Sequence, residues 1–216
     1  MNNRGIALLA GLILLASISL LALVTASGTV LQRNMAGNFE DKALALQNAS
    51  IATGFAAAWL NSRPIISREA GCLINCILPV GIHNPGSLPA RPEFESSAWW
   101  AAHTIEAGLN PLTAEVIATS DSGFEPARWV IEELHYQPTG ETRGENAAEG
   151  VAYYRILGRG TGRTNRTVAV TEAIYARPWE GDFEAGPYPP DGPPHDFCLQ
   201  FGRKYDCGKL SWRQRR

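Results

Sequence analysis

The side chains able to do chemistry in this 216-residue chain are four cysteines, four histidines and a scatter of acids, and their spacing limits what they can do. The cysteines fall into two local pairs, Cys72 with Cys76 and Cys198 with Cys207. An even count beside loop-forming residues predicts disulfides in an exported segment, and of the three connectivities four cysteines allow, the two local ones are the simplest. A four-thiolate zinc centre competes, but Cys-x3-Cys and Cys-x8-Cys are not tight zinc-knuckle spacings, and an oxidising compartment works against it. Closing the Cys198 to Cys207 loop is worth about 2–3 kcal/mol of chain entropy. His83, His103, His135 and His195 stand far apart, with no His-x3-His pattern or matching carboxylate spacing, so no metal site is expected. Glu132 and Glu133 are adjacent in a strand-like run and point to opposite faces, which makes them a poor acid and base pair. No Gly-x-Ser-x-Gly nucleophile occurs. Gly158, Gly160 and Gly162 imitate a phosphate loop, but a strand follows where a helix would have to present its amides, so the run reads as a hairpin turn. Neither a catalytic residue nor a cofactor is expected.

Arg203, Lys204, Lys209, Arg213, Arg215 and Arg216 form a basic tail interleaved with Tyr205 and Trp212. A solvated tail is the simpler reading, and a surface for DNA or an acidic partner the sharper one. The net charge of −2 argues against a dedicated nucleic-acid binder.

The elements that must position these residues begin with a run from Ile6 to Val30 that contains no charge, preceded by Arg4 and followed by Arg33. As a helix it would extend roughly 37 Å, more than the roughly 30 Å hydrocarbon core of a bilayer. Residues 6–30 are therefore expected to span a membrane, with Arg4 holding the N-terminus in the cytoplasm. A cleaved secretory signal ending near Gly28 is the competing reading, but the run is too long and continues as helix. No proline occurs until Pro64, and Leu44, Ile51, Phe55 and Trp59 recur at spacings of seven and four, so one helix is expected over residues 6–62, amphipathic in its second half. Residues 63–91 read as loop, and Pro92 to Glu106 as a short helix carrying Trp99 and Trp100. Arg128–Leu134, Val151–Arg159 and Thr167–Arg177 read as strands of an antiparallel meander. The fold class is α+β, with a long protruding N-terminal helix packed through its second half on an antiparallel sheet, and a disulfide loop near the C-terminus.

Arg4, Gly5 and Ile6, leading into the apolar run, resemble the leader site of prepilins. Arg33, Met35, Ala36, Gly37, Asn38 and Asp41, followed by Ala45, Gln47 and Ala49, resemble the signature of PilX-type minor pilins, and the strands between residues 128 and 177 are similar to that family's C-terminal strands. The resemblance implies a leader of residues 1–5 cut after Gly5, N-methylation of Ile6, a helix over 6–62 and a globular domain over 63–216. It also implies passage from the bacterial inner membrane, with the domain in the periplasm, into a type IV pilus. The partners it implies are other minor pilins of the PilV, PilW and FimU type, the major pilin and a PilY-type tip adhesin. A pseudopilin of type II secretion and a membrane-anchored enzyme or binding module are the alternatives. One departure stands out: major pilins carry Glu at the fifth mature position, and here that position is Ala10.

Overall fold

The computed structural model describes residues 4–64, 80–118, 123–142, 148–179, 183–189 and 197–215, with side chains for all of these except 4–7, 23–27, 139–142, 148 and 149. Cys72, Cys76 and His195 lie outside the described residues. Two compact units are present, Met1–Asp41 and Lys42–Arg216.

Helix α1 runs from Arg4 to Asn61 without a break, as the lack of proline predicts. In the first unit it is the only described element, and its described large apolar side chains are exposed, from Leu8 (74%) to Leu21 and from Val30 to Phe39 (75%). Among the described residues no helix is long and apolar enough to cross a membrane.

In the second unit the rest of α1 lies on a six-stranded sheet. Its strands are β1 (Ile82–His83), β2 (Ile105–Glu106), β3 (Arg128–Thr142), β4 (Ala148–Thr161), β5 (Val168–Trp179) and β6 (Gly208–Arg215). The order is β1-β3-β4-β5-β6, with β2 also on β3; β1 pairs with β3 in parallel and every other pairing is antiparallel. The expected meander is thus present, and it is longer by a strand, because Gly208–Arg215 of the basic tail pairs with β5 as β6, with Lys209 to Arg213 still exposed. The region from Pro92 to Glu106 is not one helix. A 3₁₀ turn (Pro92–Phe94) gives way to extended Glu95, then Ser96 caps helix α2 (Ser97–His103) by accepting a hydrogen bond from the Trp99 amide at 3.2 Å, and extended Thr104 leads into β2.

Strand alternation divides the core in two. Trp129, Ile131, Tyr154, Ile156 and Ala173 face α1 and pack on Ala52, Ala56, Trp59 and Leu60. Val130, Leu157 and Val170 face the other way, onto Leu88 and Trp100, with Trp99 half-buried beside them. Of the expected stripe of large residues on α1, Trp59 is buried, but the rest of the buried face is made of small residues. Leu44, Ile51 and Phe55 are only half-buried, whereas Ala45, Asn48, Ala49, Ala52, Thr53 and Ala56 are buried.

The reason for the small residues lies in β4. A Cβ on Gly158 would fall 2.3 Å from the Ala49 carbonyl oxygen, and one on Gly160 would fall 2.3 Å from the Ala49 amide nitrogen and 2.4 Å from the Ala45 carbonyl oxygen. Helix and strand backbones touch here, so both glycines belong to the strand and its packing. The turn to β5 starts only after Thr161. Gly158→Ala and Gly160→Ala are each expected to lower stability by about 1–3 kcal/mol by overpacking. Gly54→Ala, on the open side of the same helix, should raise it by about 0.5–1 kcal/mol. Urea unfolding of the three variants checks the opposite signs.

Candidate functional site

The residues singled out by motif lie together along the first unit of α1. Ala10, Arg33, Met35, Ala36, Gly37 and Asn38 are exposed, Asp41 is half-buried, and Gln47, at the start of the second unit, is exposed again. Gly5 and Ile6 are helical, in the first two turns of α1. Nothing lies within 4 Å of where a Gly37 Cβ would be, so that glycine is not required by packing inside this chain. The stretch has the chemistry of an outward-facing surface. Its hydroxyls are internally satisfied, Ser17 donating to the Ile13 carbonyl and Ser19 to the Leu15 carbonyl, each at 2.8 Å, which removes the cost of placing them in apolar surroundings.

The lower half of α1 is fastened to the sheet by polar groups buried at the seam. Asn48 Nδ2 donates to the Thr161 carbonyl at 2.9 Å, the hydroxyls of Thr53 and Thr171 meet at 2.8 Å beneath the Ala49 carbonyl, and Asn61 Nδ2 donates to the Tyr175 hydroxyl at 2.8 Å. At the end of the helix, Arg177 is 0% exposed, and its two Nη atoms donate to the carbonyls of Leu60 and Arg63. A cation there sits at the negative end of the helix dipole and meets two carbonyls at the helix end, of which that of Leu60 also accepts from the Arg63 amide at 3.3 Å. Its guanidinium stacks 3.7 Å above Trp179. Trp59 is held on both sides, with Nε1 donating to the Val80 carbonyl at 2.7 Å, Arg63 stacked 3.4 Å from its ring centroid and Tyr188 edge-on at 5.0 Å. The Tyr188 hydroxyl donates to the Leu109 carbonyl at 2.9 Å, and burial pushes this phenol up to about 12, against the opposing pull of Arg63.

The opposite face of the sheet carries ion pairs. Glu132 meets Arg155 at 2.6 Å, Arg159 meets Glu125 at 2.6 Å and the Ser97 hydroxyl at 2.8 Å, and Arg215 bridges Glu172 and, at 2.9 Å, Glu93. Burial raises the Glu125 carboxyl, but the hydrogen bond and charge of Arg159 outweigh it and hold the group below its ordinary value. Arg213 meets Glu172 at 2.5 Å, so two cations of the basic tail are engaged with acids of the same chain. His83 is lowered by burial, with Glu132 opposing and His103 adding to the shift. His103 stacks on Trp99 and His135 on Tyr153. Cys198 and Cys207 are bonded, with Cα atoms 5.5 Å apart, as the local pairing predicts, and the closed loop leads directly into β6.

Gly158, Gly160, Thr171 and Arg177 are the structural residues that spacing alone did not identify. Glycines at i and i+2 in a strand are a usable signal of close backbone approach on one face. A buried arginine in a strand offers none.

Arg177→Met is expected to cost about 2–4 kcal/mol, from the lost helix-end charge and the lost hydrogen bonds to the Leu60 and Arg63 carbonyls. A lower urea midpoint for the full chain, with far-UV helicity retained, is the measurement. For Tyr188 the sign follows from its raised value: the neutral phenol is favoured in the folded state, so its contribution is intact below pH 10 and is lost as pH rises through about 12. Stability measured across that window should fall more steeply in the wild type than in Tyr188→Phe.

The family model for the C-terminal part of the type IV pilus assembly protein PilX matches residues 42–177. The match takes in the fastened half of α1 and every strand up to β5, and leaves out the motif from Arg33 to Asp41, the disulfide loop and β6. No curated protein and no solved structure matches the chain. With more than half of its residues matched by a model of conforming α+β layout, the chain belongs to the type IV pilus assembly protein PilX family.

Proposed function

We propose that this chain is a minor pilin that primes or caps the pilus, entering it through α1 after removal of residues 1–5 and N-methylation of Ile6. The observation that carries the reading is the exposure of the described apolar side chains, Leu8 to Leu21 and Val30 to Phe39, on a helix that continues, unbroken, into the matched domain. So much apolar surface in water is unfavourable by about 25 cal/mol for each Å². Lipid before assembly, and the helices of neighbouring subunits after it, are the surroundings that remove the cost. Residues 6–30 then act as the membrane span, with the domain in the periplasm before assembly.

Ala10 favours a place at the tip. The N-terminal amine of a subunit in an apolar bundle needs a carboxylate partner, and an unpaired buried charge is strongly unfavourable. A subunit with Ala10 offers no such carboxylate to a neighbour, which suits a terminal position beside other minor pilins of the PilV, PilW and FimU type and a PilY-type adhesin, with the major pilin below.

The test is the mass of the mature N-terminus together with the piliation of a deletion strain. Loss of Met1 to Gly5, a methylated Ile6 and few or no pili are expected; an unprocessed Met1 with normal pili overturns the reading. A secretion defect with normal piliation would identify a type II pseudopilin instead. Ala10→Glu is expected to shift the subunit from the tip into the shaft, visible by immunogold labelling, and an unchanged distribution with unchanged piliation removes the positional argument.

A further inference from the structure

We propose that the outer edge of β6 is a docking strand for an extended acidic and apolar segment of a partner chain. β6 pairs with β5 on one side, and among the described residues no strand pairs with the other. Every residue from Lys209 to Arg213 is exposed, including Leu210 at 49% and Trp212 at 44%. An unpaired strand edge is a template for another strand, and proteins usually blunt such edges by short length, proline or charge. β6 has no proline, and its Arg213 is drawn toward Glu172. What remains along the edge mixes the apolar Leu210 and Trp212 with Lys209, Ser211 and Gln214.

The surroundings specify the occupant. On the α1 side a cavity of about 360 Å³ opens beside Trp212, floored by Ile156, Ala173 and Tyr175 and walled by Gly54 and Ala57, with Lys209 at its rim. A strand added along β6 would point alternate side chains toward this face, so an apolar side chain can enter the cavity while a neighbouring carboxylate reaches Lys209. Arg203 and Lys204 in the adjoining disulfide loop extend the positive field. The edge is already ordered at both ends, by the Cys198–Cys207 bond before it and by Arg215 between Glu172 and Glu93 at its end. Docking therefore costs little ordering entropy. Nucleic acid is the poorer occupant, because Arg213 and Arg215 are occupied by acids of the same chain.

The test uses the full chain in detergent micelles and a fluorescent, end-blocked peptide of alternating glutamate and valine, read by anisotropy. Saturable binding that weakens with salt is expected. N-methylating one alternate set of peptide amides should weaken it about tenfold, by removing ladder hydrogen bonds, while methylating the other set leaves it intact. Lys209→Glu should weaken it by a similar factor, with the thermal transition unchanged. The proposal is overturned by absence of saturable binding, by indifference to N-methylation, by equal binding of a lysine and valine peptide, or by preferential binding of a single-stranded oligonucleotide.

Discussion

The contact on which the matched domain depends is between two backbones. At Gly158 and Gly160 the strand has no side chains to hold the helix away, and α1 answers with Ala45 and Ala49, so the peptide groups of a helix and a strand come into van der Waals contact. Such an approach fixes the helix laterally within a fraction of an ångström, because neither partner has a rotamer with which to adjust. It also strands polar groups away from water, and the seam supplies their partners: Asn48 for the Thr161 carbonyl, and Thr171 beside Thr53 for the Ala49 carbonyl. Further along, where the helix carries Trp59 and Leu60, large side chains return and the aromatic cluster around Trp129, Tyr154 and Trp179 fills the space. The taper from alanine to tryptophan along α1 is set by this contact.

The reverse face of the sheet solves a different problem. Glu132 stands directly opposite Arg155 in the β3–β4 ladder, and Glu172 directly opposite Arg213 in the β5–β6 ladder. The Glu132 pair is buried and contributes little net stability once desolvation is counted, and the Glu172 pair contributes little because Arg213 is largely exposed, but a one-residue slip would carry each acid to the opposite face and leave it uncompensated. They act as register marks. Those on β6 also explain how a tail so rich in cations becomes part of a sheet, since two of its arginines find acids on β5 and on the 3₁₀ turn.

Much of this was legible from residue order. The long helix, the three central strands and the Cys198–Cys207 loop follow from proline absence, β-branched runs and cysteine spacing. What was hidden depended on partners distant in sequence. Lys209 to Arg215 has the composition of a solvated segment, and its pairing along β5, with Glu172 and Glu93 to receive its arginines, could not be read from it. The stripe of Leu44, Ile51, Phe55 and Trp59 satisfied the helical period, and Trp59 is buried as it predicts, but ahead of it the buried face lies to one side of Leu44, Ile51 and Phe55, because bulk is excluded opposite glycine. β1 and β2 are two residues each, too short to carry a pattern. Arg177 could be recognised only once the end of α1 lay above it. For the segment from Arg33 to Asn38 the position was reversed: it stood out as a motif, and the fold adds that its side chains are exposed.

The seam also has a direction. From Ala45 to Asn61 the helix advances roughly 24 Å, and from Ala169 to Arg177 strand β5 advances roughly 26 Å, so the two run side by side in matched step. Successive contacts couple Ala45 to Ala169, Thr53 to Thr171, Asn61 to Tyr175 and Leu60 to Arg177. A force pulling α1 along its own axis would therefore load this seam in shear, with the hydrogen bonds of Asn48, Thr53, Asn61 and Arg177 sharing the tension at once. Peeling would break them one after another, whereas shear requires that they fail together, and it is along this axis that the joint between helix and domain is strongest.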